Sequence, residues 1–231
     1  MIKAILMDFN GVIINDEPIQ MRAYKEILKG EDIELTEEQY YSCMGMNDRV
    51  FLEAVYKKAE KEALPADKIE NLMTLKTARW REEIDKELPI FEGVENFIRK
   101  MEKDFALGIV SMARREEIEY VLEKANLRGS FSAIVSAEDA VECKPNPECY
   151  HKGFNKIDAA RTRGGSNPIV HSDCLVVEDA PQGIMAAKRA GLKALGVTNT
   201  VSADRLREAG ADAVTKNLDD WMPGSIRGVF V

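Results

Sequence analysis

Several features that mark whole classes of proteins are scarce or absent in this 231-residue sequence. The four cysteines form no CxxC pair and no zinc-ligand spacing, which favours free thiols in a reducing compartment. No stretch approaches the ~18 uninterrupted apolar residues that a membrane span needs. No run of five basic residues occurs, and 40 Asp and Glu against 32 Lys and Arg give a formal net charge of −8. That balance disfavours nucleic acid and anionic membranes as partners.

The remaining composition is that of an ordinary globular protein. Hydrophobic residues make up 45% and charged residues 31%, which excludes a disordered chain, a collagen-like repeat and a disulfide miniprotein. One α/β core with a modest accessory domain fits this length, because single cores stop growing near ~250 residues. The apolar start MIKAILMDFNGVI is interrupted by Asp8 and lacks a small-residue cleavage site. We therefore expect a buried strand there rather than a signal peptide, and a cytoplasmic protein.

Short apolar runs that alternate with helical patterns predict the fold class. The predicted strands are Ile2–Met7, Ala106–Val110, Ala133–Val135, Cys174–Val177 and Lys193–Val197. The predicted helices that separate the later strands are Glu95–Lys103, Arg115–Ala125, Pro147–Phe154 and Pro181–Ala190. This alternation predicts an α/β protein with a doubly wound parallel sheet, whose ligands bind at the carboxyl ends of the strands. The polar segment Lys156–Asp173 is expected to be a mobile loop.

Residues 15–90 break this alternation and predict a second domain. Helical periodicity runs through Ile19–Leu28, Arg49–Ala63 and Lys68–Ile84, with no strand-like run between them. We therefore predict an α/β core domain of residues 1–14 and 91–231, with a small all-helical domain of residues 15–90 inserted into it. The crossings near Asn15–Pro18 and Pro89–Gly93 each contain a proline and are expected to act as hinges.

Polar and acidic residues follow the predicted strands at the edge where ligands bind. Asp8 follows the first strand, Ser111 the second, and Glu178 and Asp179 the strand that begins at Cys174; Lys144 lies in CKPNP, just ahead of a helix. Carboxylates with one lysine and one hydroxyl suit an oxyanion substrate bound through a divalent cation, and oxygen ligands favour Mg²⁺ over zinc. Because the cation offsets repulsion, Asp8 can approach a phosphoryl group as a nucleophile.

Four motifs in order resemble those of the haloacid dehalogenase (HAD) superfamily, in the branch near β-phosphoglucomutase and phosphoglycolate phosphatase. They are DFNGVI at Asp8–Ile13, the strand end at Ser111, Lys144 in KPNP, and VVEDAPQGIMAAKRAG at Val176–Gly191. The resemblance covers essentially the whole chain. It implies a HAD-like Rossmannoid core with a helical cap, and a phosphatase or phosphomutase that acts on a small phosphorylated metabolite. We expect a monomer or a weak homodimer.

The resemblance also implies a role for each matching residue. Asp8 would be the nucleophile that forms an aspartyl-phosphate, and Ser111 would bind the transferring phosphoryl group. Lys144 would neutralise the phosphoryl charge and hold Asp8. Magnesium would be bound by Asp8, the backbone carbonyl of Asn10, Asp179 and, directly or through water, Glu178.

One position departs from the family pattern. The phosphatases and phosphomutases usually carry Asp two residues after the nucleophile as general acid and base, and here that position is Asn10. An amide does not titrate near neutrality, and general acid–base help is worth ~10²–10⁴-fold. A native Asn with a substitute acid–base, for which Asp16 and Glu17 are candidates, and an engineered Asp→Asn change both explain the departure.

The segment MGMNDR at Met44–Arg49 precedes a helical run, with Asn47 or Asp48 as the expected N-cap. Cap residues of this family point into the crevice, so the resemblance suggests that Arg49 holds a second anionic group of the substrate.

Two alternatives to a phosphatase or phosphomutase stay open. The loss of the acid–base Asp fits a catalytically weak protein that binds phosphate and metal. A dehalogenase- or phosphonatase-type hydrolase also lacks this Asp; for a phosphonatase, Lys57 and Lys58 are the cap lysines.

Overall fold

The structure, a computed structural model, describes residues 1–43 and 45–231; Met44 of the predicted capping segment lies outside the described residues. Its strands form one parallel sheet in the order β3-β2-β1-β4-β5-β6. The strands are β1 (Ala4–Met7), β2 (Ala106–Val110), β3 (Phe131–Val135), β4 (Cys174–Glu178), β5 (Lys193–Val197) and β6 (Ala213–Thr215). Strands β1, β2 and β3 follow one another towards one edge of the sheet. Strand β4 then pairs with the other side of β1, and β5 and β6 continue towards the opposite edge. This is the predicted doubly wound sheet, with its switch point between β1 and β4.

The α-helices of the described residues cover both faces of the sheet and fill the segment between β1 and β2. They are α1 (Glu17–Lys29), α2 (Glu37–Ser42), α3 (Asp48–Lys58), α4 (Ala66–Lys86), α5 (Val94–Met101), α6 (Arg115–Lys124), α7 (Glu148–Arg163), α8 (Pro181–Arg189), α9 (Ala203–Glu208) and α10 (Pro223–Val229). Among the described residues, no helix is both long and apolar enough to cross a bilayer.

Alternate residues of β1 enter two apolar cores, one on each face of the sheet. Ile5 and Met7 belong to one core and Ala4 and Leu6 to the other, all fully buried. A strand that is covered on both faces consists of consecutive apolar residues, which explains why this strand could be predicted from the sequence. A third apolar cluster, which includes Leu28, Leu52 and Leu72, joins α1, α3 and α4.

The two predicted crossings run side by side. The Asn15 N–H donates to the Pro89 carbonyl at 2.7 Å, and the Phe91 N–H donates to the Ile13 carbonyl at 3.1 Å. The chain therefore leaves and re-enters the sheet region through one hydrogen-bonded pair of segments, close to the end of β1.

The prediction of a loop over Lys156–Asp173 was wrong in its first half, because α7 continues to Arg163. Alanine and arginine favour a helix, and the helix ends only at the glycine pair Gly164 and Gly165. Helix α3 ends earlier than predicted, at Lys58, shortly before Glu60 adopts a positive φ of 54°.

Several short elements were not predicted at all: α2, α9, α10 and β6. Each has seven or fewer residues, which is too short for periodicity to identify them.

Candidate active site

The residues predicted from the strand ends meet at the switch point of the sheet. Asp8 follows β1, Glu178 ends β4 and Asp179 follows it, and β1 pairs with β4. One carboxylate oxygen from each of the three lies within 4.8 Å of the others. The three carboxylates line a crevice, and Ser111, directly after β2, and Lys144 line it as well. Parallel strands that end at one edge therefore bring together residues that lie up to 171 positions apart in the chain (Asp8 to Asp179).

Lys144 joins two of these carboxylates. Its Nζ lies 2.9 Å from Asp8 Oδ2 and 2.6 Å from Glu178 Oε1, and it donates to the Val110 carbonyl at 3.3 Å. Burial alone would lower the pKa of Lys144, but the charges of Asp8 and Glu178 outweigh burial and raise it. The lysine is therefore a permanent positive charge beside Asp8.

Two glycines make room for the carboxylates that follow β4. A Cβ on Gly11, whose φ is +74°, would lie 2.0 Å from Asp179 Oδ2, and a Cβ on Gly183 would lie 1.9 Å from the Glu178 carboxyl. Glycine tolerates a positive φ without steric cost. Any side chain at either position would displace the carboxylate from its place.

The three carboxylates fit a hard divalent cation such as Mg²⁺. Oxygen Oε2 of Glu178 is buried and has no hydrogen-bond partner, although its Oε1 accepts from Lys144 and from the Tyr150 hydroxyl at 2.5 Å. Burial, with the charges of Glu178 and Asp8, raises the pKa of Asp179. Buried carboxylates this close repel one another, and an oxygen-seeking cation removes that repulsion.

Ser111 and Asn10 contact each other beside this cluster. The Ser111 hydroxyl donates to Asn10 Oδ1 at 3.4 Å and accepts from the Ala113 N–H at 3.1 Å. Asn10 Nδ2 donates to Asp16 Oδ1 at 2.8 Å. The amide of Asn10 thus uses both its acceptor and its donor, which a carboxylate could not do.

Asp16 and Glu17, the candidates for a substitute acid–base, differ in their surroundings. Asp16 is fully buried and also accepts at Oδ2 from Gln20 Nε2 at 2.9 Å and Trp80 Nε1 at 2.8 Å. Glu17 lines the crevice and accepts from the Tyr40 hydroxyl at 2.6 Å. Burial and the charge of Asp16 raise the pKa of Glu17 to about 7.

Three cap residues named from the sequence lie outside the crevice. Arg49 is exposed on α3 and is not among the residues that line the crevice. Lys57 and Lys58 are exposed on the same helix and do not line it either. Asn47 is the N-cap of α3, since its side chain accepts from the Val50 N–H at 3.0 Å.

The structure adds a charged cluster that sequence reasoning missed. Lys76 of α4 contacts Asp48 of α3 and Glu117 of α6, and all three line the crevice. One signal was present in the sequence: Lys76 lies four residues from Leu72 and from Trp80, on a face of α4 whose other buried residues are apolar except for Thr77. A lysine on a buried helix face needs a partner.

Comparison with known proteins agrees with this site. The family model of haloacid dehalogenase-like hydrolases matches residues 5–197. The putative phosphatase YhcW of Bacillus subtilis is 31% identical over 215 residues, 90% of this chain and 89% of that protein. The phosphorylated carbohydrates phosphatase of Thermotoga maritima is 26% identical over 219 residues, 93% and 94% of the two chains.

A solved structure shows the same fold over the full length of the chain. β-Phosphoglucomutase from Clostridium difficile superposes with a TM-score of 0.84 at 19% identity, covering 100% of this chain and 97% of that one. With the family match and the carboxylates at the switch point, it follows that this chain belongs to the haloacid dehalogenase-like hydrolases, in the branch that holds β-phosphoglucomutases and related phosphatases, and is an enzyme.

Proposed function

We propose that this enzyme transfers the phosphoryl group of a small phosphate monoester through an aspartyl-phosphate at Asp8, with Mg²⁺ bound. One observation carries the proposal: Asp8 lies 2.9 Å from the Lys144 ammonium and in one cluster with Glu178 and Asp179. Phosphoryl transfer depends mainly on positioning and on stabilisation of charge. A carboxylate between a fixed cation and a metal-binding set meets both needs.

We assign each residue of the cluster a role from its contacts and, for the Asn10 backbone carbonyl, from the resemblance to the family. Asp8, the Asn10 backbone carbonyl and Asp179 would bind Mg²⁺, with Glu178 directly or through water, and the bound ion would withdraw charge from the phosphoryl oxygens. Lys144 neutralises charge on the same group and holds the Asp8 carboxylate in place. The Ser111 hydroxyl, fixed by the Ala113 N–H, donates to a phosphoryl oxygen.

Proton transfer in the proposed reaction falls to Glu17. The departing alkoxide needs a proton when Asp8 attacks, and water must lose one when it attacks the aspartyl-phosphate. Asn10 can assist neither step, and Asp16 is buried behind it. Glu17 lines the crevice, is held by the Tyr40 hydroxyl, and has a pKa raised to about 7, which suits a group that gives and takes a proton near neutrality.

The helices of residues 15–90 would act as a cap over residues 1–14 and 91–231. Their apolar cluster and the paired crossings at Asn15 and Pro89 support such a unit, and the packing of Trp80 and Ile84 of α4 into the core of the sheet corresponds to its closed position. Closure would exclude water from the aspartyl-phosphate. A monomer or weak homodimer and a cytoplasmic location remain predictions.

The proposal is tested with acetyl phosphate, p-nitrophenyl phosphate and an alkyl phosphate, each with Mg²⁺ and with chelator. We expect turnover that needs Mg²⁺ and is abolished by Asp8→Asn, while Asp67→Asn at an exposed position of α4 serves as the control that retains it. Turnover that survives Asp8→Asn would overturn the mechanism. Phosphate and Mg²⁺ binding without turnover would favour the weak binding protein, and cleavage of phosphonates or haloacids the third alternative.

A further inference from the structure

The wall of the crevice away from Asp8 carries a buried ion cluster that joins the inserted helices to the sheet domain. Lys76 Nζ lies 3.1 Å from Asp48 Oδ2 and 3.0 Å from Glu117 Oε1. The Thr77 hydroxyl donates to Glu117 Oε1 at 2.7 Å, and the Tyr24 hydroxyl donates to Asp48 Oδ1 at 2.6 Å. Lys76 and Glu117 are each only 1% exposed, so these charges interact with little screening by water.

The charge of this wall is negative. Lys76 faces two carboxylates, Asp48 and Glu117, so the cation of this wall is already paired. Among the described residues that line the crevice, the cations are Lys76 and Lys144, and Lys144 is already paired with Asp8 and Glu178. A second anionic group on a substrate would therefore meet acids without a free cation.

The same wall contains a buried hydrogen-bond acceptor that has no donor. Gln20 is 6% exposed and lines the crevice. Its Nε2 donates to Asp16, which identifies Oε1 as the carbonyl oxygen, and that oxygen is buried without a partner. A buried acceptor without a partner costs about 1–3 kcal/mol, and a hydroxyl or ammonium group of a ligand would satisfy it.

We propose that this wall, formed by Gln20, Asp48, Lys76 and Glu117, selects phosphate monoesters whose alcohol carries hydroxyl or ammonium groups and rejects esters with a second anionic group. The inference rests on the proposed function and adds the class of substrate to it. The aromatic side chains Tyr24 and Phe51, with ring centroids 4.2 Å apart, line the same wall and offer apolar surface to the carbon skeleton of such an alcohol.

Three phosphate esters of nearly equal size differ mainly in the charge of the group at the end away from the phosphate. They are 2-hydroxyethyl phosphate, which is neutral at the distal end, ethanolamine phosphate, which is cationic, and phosphoglycolate, which is anionic. The measurement is kcat/KM with Mg²⁺ for each ester. We expect phosphoglycolate to be poorer than both others by about 10-fold or more, because like charges at a few Å repel strongly in a poorly solvated site.

Asp48→Asn tests whether this wall sets the preference among the esters. It removes one negative charge and leaves Lys76 paired with Glu117 alone. The ratio of kcat/KM for phosphoglycolate to kcat/KM for 2-hydroxyethyl phosphate should therefore rise by about 10-fold. Glu53→Gln removes one negative charge from an exposed position of the same helix and should leave that ratio unchanged. Thermal unfolding of both variants shows that they are folded.

The outcomes separate this inference from the proposed function. Asp8-dependent turnover with phosphoglycolate equal to or better than the other two esters would overturn the inference alone, and wild-type enzyme suffices for that result. An unchanged ratio in Asp48→Asn would overturn the assignment of the wall. If no ester is turned over, or if turnover survives Asp8→Asn, the proposed function fails and the inference fails with it.

Discussion

At the scale of single residues, the contact between Asn10 and Asp16 suits an amide at position 10, where the resemblance led us to expect an aspartate. Asp16 is fully buried; burial raises its pKa, and hydrogen bonds from Asn10, Gln20 and Trp80 act in the opposite direction. An aspartate at position 10 would face this buried carboxylate at 2.8 Å. The pairing therefore stabilises an amide rather than a second carboxylate at position 10.

Asn10→Asp should lower the free energy of unfolding by about 1–3 kcal/mol, because it replaces a donated hydrogen bond by two facing carboxylates. Adding Asp16→Asn should restore most of that loss, since the new amide can donate across the pair while its oxygen still accepts from Gln20 and Trp80. Urea unfolding without metal measures both. Glu53→Gln, at an exposed position within α3, should stay within ~0.5 kcal/mol of wild type, and a single Asn10→Asp variant as stable as wild type would contradict the pairing.

Glu17 should make stability depend on pH. Burial first, then the charges of Asp16 and Asp8, raise its pKa from 4.5 to about 7, against the Tyr40 hydrogen bond and the Lys76 charge. Between these values the native state holds a proton that the unfolded chain has released, so stability falls as pH rises from 4.5 through 7, by up to about 3 kcal/mol. Glu17→Gln should remove this component, measured as the difference from wild type in urea unfolding across that range.

The same substitution tests the proton transfer. Glu17→Gln should reduce turnover of alkyl phosphates by ~10²-fold and have much less effect on formation of the aspartyl-phosphate from p-nitrophenyl phosphate, whose leaving group needs no acid. Glu53→Gln on α3 is the matched control. Equal losses in the rate of aspartyl-phosphate formation from both substrates would indicate a structural role for Glu17.

At the scale of elements, helix α4 packs the helices of residues 15–90 against the sheet and α6. Trp80 of α4 is fully buried in the apolar core on one face of the sheet, and Lys76 and Thr77 contact Glu117 of α6. Burial raises the pKa of Glu117, while the Lys76 charge lowers it. The pKa of Glu117 is raised overall, and the positive charge of Lys76 favours its ionised form.

Lys76→Met should destabilise the protein by about 3–5 kcal/mol, the usual cost of removing one partner of a buried ion pair. Adding Glu117→Gln should recover part of this loss, because the fully buried Glu117 carboxylate is then no longer left without its cation. Lys57→Met, at an exposed position of α3 without a partner among the described residues, should change stability by less than ~0.5 kcal/mol. Chemical unfolding compares the three, and equal effects of Lys76→Met and Lys57→Met would refute the role of the cluster.

At the scale of the whole molecule, the topology of the sheet concentrates negative charge at one point. Because β4 returns to lie beside β1, the carboxylates of Asp8, Glu178 and Asp179 share one buried site. Their mutual repulsion opposes folding in the absence of a cation. Metal binding and global stability should therefore be linked.

Mg²⁺ at about 100 times its dissociation constant should stabilise the wild type by ~2.7 kcal/mol, seen as a rise of several degrees in Tm. Asp179→Ala should abolish this rise and should itself be no less stable than wild type without metal, because it removes a buried carboxyl group whose ionisation burial and the charges of Glu178 and Asp8 oppose. Differential scanning calorimetry with and without Mg²⁺ gives both results. A rise of equal size in Asp179→Ala would place the ion elsewhere.

The sequence alone determined the parallel sheet and the residues at its carboxyl edge. Strands buried on both faces must be continuously apolar, so β1, β2, β4 and β5 could be identified locally, and the polar residue that follows such a run lies where ligands bind. Asp8, Ser111, Glu178 and Asp179 were placed correctly at that edge for this reason. The motif containing Lys144 supplied the cation that contacts Asp8.

Only the tertiary structure decided which cap side chains face the crevice. Arg49, suggested by resemblance, is exposed, whereas Lys76 enters the wall because α4 packs on α6 and brings it to Glu117, 41 positions away in the chain. Asp16 is buried behind Asn10 while its neighbour Glu17 lines the crevice. Periodicity records which face of a helix is apolar, but the partner of a charge on that face depends on how distant helices pack, which no local pattern contains.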